Sequence, residues 1–325
     1  MYPIARCLFI CLISFGICSA FYWNEETQFV RGGQLNTWFG FVNSKTTTCD
    51  ILFLGNSRVS VTINPKIIDS VTHLNSYCVG PDGTGILTEY MFLKKFLETH
   101  NSCKYVVVQL DYLSLVNHVL PYNYPDYYYF LNDTSVYNVY SPYSWQMRYY
   151  YLLKPFVCIW KLVPSTDDAK LTSVLNFLKG RKEMQLDKGI KYYKGFWGSP
   201  LRWDPNYKPE KPIALDFDES GFEIVDKIVD LCKSKNCKLL FVYPPVYKDF
   251  HKVTLNYAHV NLELQNYAQK KQIPYFNYTT MDICNSKEYF YNIQHLNHKG
   301  ANIFSTELAN DIRKFDSTNT NSNTP

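Results

Sequence analysis

Three consecutive valines, Val106, Val107 and Val108, stand inside "YVVVQLDYLSL" at residues 105–115. A continuous β-branched run with no polar face suits a central strand covered on both sides, as in a parallel sheet. Short apolar runs of the same kind recur at 51–54 ("ILFL"), 76–79, 238–245 ("KLLFVYPP", ended by Pro244 and Pro245) and 273–278 ("IPYFNY"). Helical spacings lie between them. Ile86, Tyr90, Leu93 and Leu97 recur behind Gly83, and Ile224, Val225, Ile228, Leu231 and Cys232 share one helical face. A helix near 255–272 follows, and a last one from about Asn297 is expected to bury Ile303, Phe304, Leu308 and Ile312. Five short strands alternating with helices predict an α/β domain over residues 49–315, a three-layer α/β/α arrangement around a five-stranded parallel sheet.

One long segment interrupts that alternation. Residues 113–215 carry no clean strand–helix pattern and are dense in tyrosine, in a chain with 28 of them. A structureless loop of that length does not fit a compact domain, so the segment is expected to be a mostly helical insertion or lid. Because it follows the third strand directly, it is expected beside the carboxyl edge of the sheet. Its tyrosines would there line a sugar-binding cleft or form a packing surface, and both readings stay open.

At the N-terminus, Arg6 precedes an apolar stretch from Cys7 to Ala20, followed by Phe21, Tyr22 and Trp23. Residues 1–23 therefore fit a secretory signal peptide, or an uncleaved membrane anchor with the aromatic triplet at the interface. Residues 24–48 read as a polar neck, and 316–325 ("DSTNTNSNTP") as a disordered tail. The formal charge of +4 is mild and no Lys/Arg cluster stands out, which argues against nucleic acid as a partner. Of ten cysteines, three (Cys7, Cys11, Cys18) lie in the leader, so seven remain and cannot all pair within one chain. No Cys-x-x-Cys spacing suggests a metal. Cys232 and Cys237 flank a helix-to-strand turn, as a bridge after export or as buried thiols.

The first strand stops abruptly in Gly55-Asn56-Ser57-Arg58. In open parallel sheets, ligands bind beyond the carboxyl ends of the strands, which is where this turn lies. The second informative stretch is "FYNIQHLNHKGANIFS" at 290–305, a loop ahead of the last helix. From there His295 can reach the same edge and accept the Ser57 hydroxyl proton. The two side chains, 238 positions apart, are expected within hydrogen-bond reach or one water of it.

These stretches resemble a known family. "FLGNSR" is similar to the first block of the SGNH (GDSL-type) hydrolases, whose nucleophile is the serine after the first strand. The 290–305 stretch resembles their last block, Asp-x-x-His-Leu-x-x-x-Gly, and "VGPDG" at 79–83 resembles the second, where a glycine amide helps form the oxyanion hole. "LLFVYPP" and the N-terminal segment resemble membrane-anchored bacterial relatives that move acyl groups on envelope polymers. The resemblance covers residues 50–112 and 218–314. It implies a flavodoxin-like sheet of the SGNH type, Ser57 as nucleophile, His295 as base and then acid, and the amides of Ser57 and Gly80 or Gly83 as oxyanion donors. It implies no metal and no organic cofactor.

Two departures stand out. Asn292 occupies the position of the family's aspartate, where its side-chain oxygen can orient His295 without a full charge. The Gly-x-Asn-Asp block is replaced by "VVVQLDY", which removes an oxyanion donor and offers Asp111 as a substitute acid. The resemblance implies an exported serine esterase or O-acyltransferase acting on acyl groups of a cell-envelope glycan. Its partners would be that glycan, the membrane through the N-terminal segment, and an acyl-transporting membrane protein. The departures keep a second reading open, in which a catalytically degenerate member of the same fold serves as a carbohydrate-binding or scaffolding component of the envelope.

Overall fold

In the computed structural model of the chain, residues 5–17, 19–20, 34–100, 102–115, 121, 127, 130–149, 192–208, 211–214 and 220–321 are described. The chain divides into two compact units, residues 1–37 with 123–190, and residues 38–122 with 191–325. In chain order the elements are α1 (Gln34–Val42), β1 (Ile51–Leu54), α2 (Ser57–Thr62), α3 (Pro65–Thr72), β2 (Ser76–Val79), α4 (Ile86–His100) and β3 (Tyr105–Gln109). There follow α5 (Thr134–Tyr140), α6 (Trp145–Arg148), α7 (Gly221–Ser234), β4 (Lys238–Tyr243), α8 (Phe250–Val253), α9 (Tyr257–Lys271), β5 (Tyr275–Asn277) and α10 (His298–Asn321).

The larger unit is an α/β domain on a five-stranded, all-parallel sheet of order β2-β1-β3-β4-β5. All four side chains of β1 and all five of β3 are buried, as their unbroken apolar runs require. Helices α4 and α7 pack together, as do α3 and α10. Crossovers between parallel strands are right-handed as a rule, and with this strand order that rule puts the two pairs on opposite faces of the sheet. Every strand expected from the sequence is present. Along α10, Phe304, Leu308 and Ile312 are buried as expected, but Ile303 turns outward and is 38% exposed.

Three boundaries differ from the sequence reading. The neck is not wholly irregular: α1 ends in Trp38, Phe39, Phe41 and Val42, all buried in the α/β domain. Phe39 packs on Phe92, and Phe41 stacks on Tyr77 at 3.4 Å between ring centroids. Aromatic burial of this kind outweighs the polar composition around it. The tail also starts later than residue 316. Helix α10 continues to Asn321 because Asp316 is held by Lys104 at 2.8 Å and by the Tyr105 hydroxyl at 2.5 Å. Finally, residues 192–214 belong to the α/β domain and not to a separate insertion. The Lys194 carbonyl accepts from Cys78 N–H along the outer edge of β2, and Gly195 (φ +80°) lies so close to the Cys78 carbonyl that no Cβ fits.

In the smaller unit, α5 is capped by Asp133 and α6 by Ser144, and the buried rings of Tyr127 and Tyr140 meet edge to face at 5.5 Å. The rest of the tyrosine-rich insertion, residues 150–191, lies outside the described residues, and the expected lid and sugar-lined cleft fall largely there. Of the N-terminal segment, residues 5–17 form a helix with Leu8, Phe9 and Leu12 exposed. Among the described residues no helix is long and apolar enough to cross a membrane.

Candidate active site

The turn after β1 is built to hold Ser57 at the surface of an otherwise closed core. Residues 51–56 and 58–65 are all buried, and Ser57 alone in that stretch stays partly exposed. Gly55 is needed because a Cβ there would collide with the side chains of Val59 and Gln109. Asn56 then caps α2, its Oδ1 accepting from Arg58 N–H at 3.0 Å. Gly80, at the end of β2, lies against this turn, where a Cβ would sit 2.5 Å from the Asn56 carbonyl and 2.8 Å from Ser60 N. Gly83 follows at φ +63°.

The opposite half comes from the far end of the chain. Residues 290–296 form a tight hairpin: Phe290 bridges Leu296, and Tyr291 N–H donates to the His295 carbonyl at 3.1 Å. Asn297 caps α10 by accepting from Gly300 N–H at 3.1 Å. Gly300 is required because the Tyr289 carbonyl occupies the space of any Cβ. That accounts physically for the Asn297 and Gly300 positions of the His-Leu-Asn-x-x-Gly sequence. Helix α10 is docked beside the Ser57 turn by Ser305, whose Oγ accepts from Asn64 N–H at 2.8 Å and donates to the Thr62 carbonyl at 3.2 Å.

The result is a Ser57 Oγ–His295 Nε2 separation of 2.9 Å, as expected from the sequence. His295 Nδ1 lies 3.0 Å from Asn292 Oδ1, so a proton on Nδ1 leaves Nε2 free to accept from Ser57. The same Asn292 oxygen accepts from the backbone N–H of Gln294 and of His295, which fixes the loop and the ring together. Tyr291 stacks on the imidazole at 5.3 Å and nearly parallel.

Beneath the dyad lies a polar cluster that sequence reasoning did not identify. Arg58 is fully buried and paired with Asp111. Its guanidinium also donates to the carbonyls of Pro244 (2.7 Å) and Pro245 (3.2 Å) and lies 5.6 Å from the ring centres of Tyr112 and Tyr243. Burial works against its charge, and Asp111 with the two tyrosines outweighs burial, so Arg58 stays above its ordinary pKa. Asp111 is therefore not a substitute acid for His295. Its carboxylate is taken by Arg58, by Gln109 Nε2 at 2.6 Å and by Leu113 N–H at 2.9 Å. Gln109 offers no oxyanion donor, because its Nε2 is given to Asn56 and Asp111.

Burial, reinforced by the positive charge of Arg58, pushes the His295 imidazole down to about 3. A base must be neutral to accept a proton, so lowering its pKa moves the acid limb of the rate to lower pH. Labelling of Ser57 by a serine-directed reagent is expected to be nearly as fast at pH 5 as at pH 7. An unperturbed histidine, with a pKa of about 6.5, would instead lose about 25-fold in neutral form over that interval. Initial labelling rates across pH 4–8 distinguish the two.

No protein-family profile matches this chain, and no curated protein matches it in sequence.

Proposed function

We propose that this protein is a serine acyl-transfer enzyme, an esterase or O-acyltransferase, on a flavodoxin-like sheet of the SGNH type. The observation that carries the reading is the 2.9 Å contact between Ser57 Oγ and His295 Nε2, with Nδ1 oriented by Asn292. Ser57 attacks the acyl carbonyl as His295 takes its proton. The amides of Ser57 and Gly80, with Gly83 beyond them, are the oxyanion donors. His295 returns the proton to the leaving alcohol, and the acyl group passes from Ser57 to water or to a sugar hydroxyl. The substrate class is an acylated cell-envelope glycan, reached by export through the N-terminal segment and supplied by an acyl-transporting membrane partner.

The test is intact-protein mass after treatment with a fluorophosphonate. One adduct on Ser57, absent from Ser57→Ala, is the expected result. An unmodified protein after prolonged exposure would overturn the reading in favour of a non-catalytic binding or scaffolding protein.

Asn292 sets the rate in this scheme. A neutral amide oxygen fixes the ring but gives the developing imidazolium less help than a carboxylate, and a weakly basic imidazole is a poor proton acceptor. Asn292→Asp keeps an oxygen for the same three N–H donors and adds the charge. It is expected to speed acyl transfer by about 10-fold or more and to move the acid limb upward. Asn292→Ala is expected to slow it. Turnover of an activated ester by the three forms measures both effects.

A further inference from the structure

At the end of the sheet away from Ser57, Cys103 and Cys237 precede the adjacent strands β3 and β4. Their Sγ atoms are 3.9 Å apart, and Cys103 N–H donates to the Cys237 sulfur at 3.4 Å. The strands beside them are locked in register, Tyr105 opposite Lys238, and Lys238 N–H donates to the Lys104 carbonyl at 3.0 Å. Two sulfurs held against each other by a paired backbone are a different case from isolated buried thiols. A disulfide needs them about 2 Å closer, a distance that side-chain rotation can supply.

We propose that Cys103 and Cys237 form a reversible dithiol–disulfide couple that staples the amino ends of β3 and β4. The sulfurs are unequal in the way exchange requires. The hydrogen bond from Cys103, together with the Cys103 N–H and nearby Lys235, lowers the Cys237 thiol against the opposing effect of burial, while Cys103 is raised. Cys237 is thus the attacking thiolate and Cys103 the resolving thiol. The oxidant is a small disulfide of the glutathione type. Cys237 thiolate attacks one of its sulfurs and expels one thiolate, leaving a mixed disulfide on Cys237. Cys103 then gives up its proton and attacks the Cys237 sulfur, expelling the second thiolate. Two protein thiols become one disulfide, and the small disulfide is reduced to two thiols.

The cross-link would join residues 134 positions apart, and the enclosed loop contains the whole of 123–190. Such a long loop constrains the unfolded chain strongly, so the oxidised form should be the more heat-stable one. Because the pair lies at the amino end of the sheet, it does not bear on the Ser57–His295 chemistry and stands whether or not that chemistry occurs. Cys232, whose carbonyl accepts from Cys237 N–H at 2.9 Å, is the competing sulfur.

The experiment equilibrates the full-length protein with oxidised and reduced glutathione over a range of ratios. Free thiols are then alkylated under denaturing conditions and the peptides mapped. The expected result is a Cys103–Cys237 cross-linked peptide, about 2 Da lighter than the two thiol peptides together, that disappears on reduction. Oxidation should also raise the melting temperature by about 5 °C, an increase absent from Cys103→Ser. Should Cys103→Ser fail to fold, melting the native chain with and without reductant gives the same comparison. Full alkylation of both residues at every ratio, or a cross-link between Cys232 and Cys237, would overturn the proposal.

Discussion

Ser57→Ala is expected to lower acyl transfer to an activated ester by about 10⁴-fold or more, with the fold unchanged. The loss is large because Ser57 is the only hydroxyl bonded to His295 Nε2 among the described residues. The fold should survive because Ser57 is only partly buried and the turn is held by its neighbours, Asn56 capping α2 and Gly80 packed beneath. Such a substitution typically changes stability by less than about 0.5 kcal/mol. His295→Ala should cost about as much in rate, and the double variant little more than either alone, since nucleophile and base act as one unit. Rates and urea midpoints for the three variants make the test. Independent, multiplying losses, or activity within about tenfold of the parent in His295→Ala, would remove the dyad from the mechanism.

How far this site could be read from the chain depended on the kind of signal each residue leaves. Ser57 and His295 were legible because each sits where a local pattern stops, one at a strand end and one in a loop before a helix. The parallel sheet was legible because β1 and β3 are buried on both faces, which leaves an unbroken apolar run. Arg58 left no such signal. A charged residue in a Gly-Asn-Ser-Arg turn reads as solvated, and its partner Asp111 lies 53 positions away, at the end of a different strand. Only the β1–β3 pairing brings them together. Asp111 looked like a spare acid for the same reason, its guanidinium partner being invisible in the linear order. The helix before β1 leaves little trace because Trp38, Phe39 and Phe41 are too few to set a helical period, although Phe39 packs on Phe92, Phe41 on Tyr77 and Phe96, and Trp38 on Tyr192. The extension of α10 past residue 316 rests on one aspartate meeting Lys104 and Tyr105, contacts that composition does not record.

Arg58 is also where the fold and the site depend on each other most directly. It follows the nucleophile, and it reaches Asp111 beyond β3 and the carbonyls of Pro244 and Pro245 beyond β4, so one side chain ties together the carboxyl ends of three adjacent strands. Removing it would leave Asp111 buried and uncompensated, beside a second buried carboxyl, Glu89, which burial and Asp111 already push well above its ordinary pKa. Arg58→Met, which keeps most of the side-chain length, is therefore expected to destabilise the protein by about 3–5 kcal/mol, the usual consequence of breaking a buried ion pair from one side. Adding Asp111→Asn removes the stranded charge while keeping Oδ1 as an acceptor for Leu113 N–H. The double variant should regain about 2 kcal/mol or more relative to Arg58→Met alone. Urea unfolding of the parent, both single variants and the double variant gives the coupling. A loss below about 1 kcal/mol in Arg58→Met would show that the strand ends hold together without the guanidinium. The same series separates position from charge at the dyad. Where the double variant is restored in stability but its acid limb has moved toward an ordinary histidine, Arg58 was keeping His295 neutral by its charge. A limb left in place assigns that depression to burial alone, the larger of the two causes.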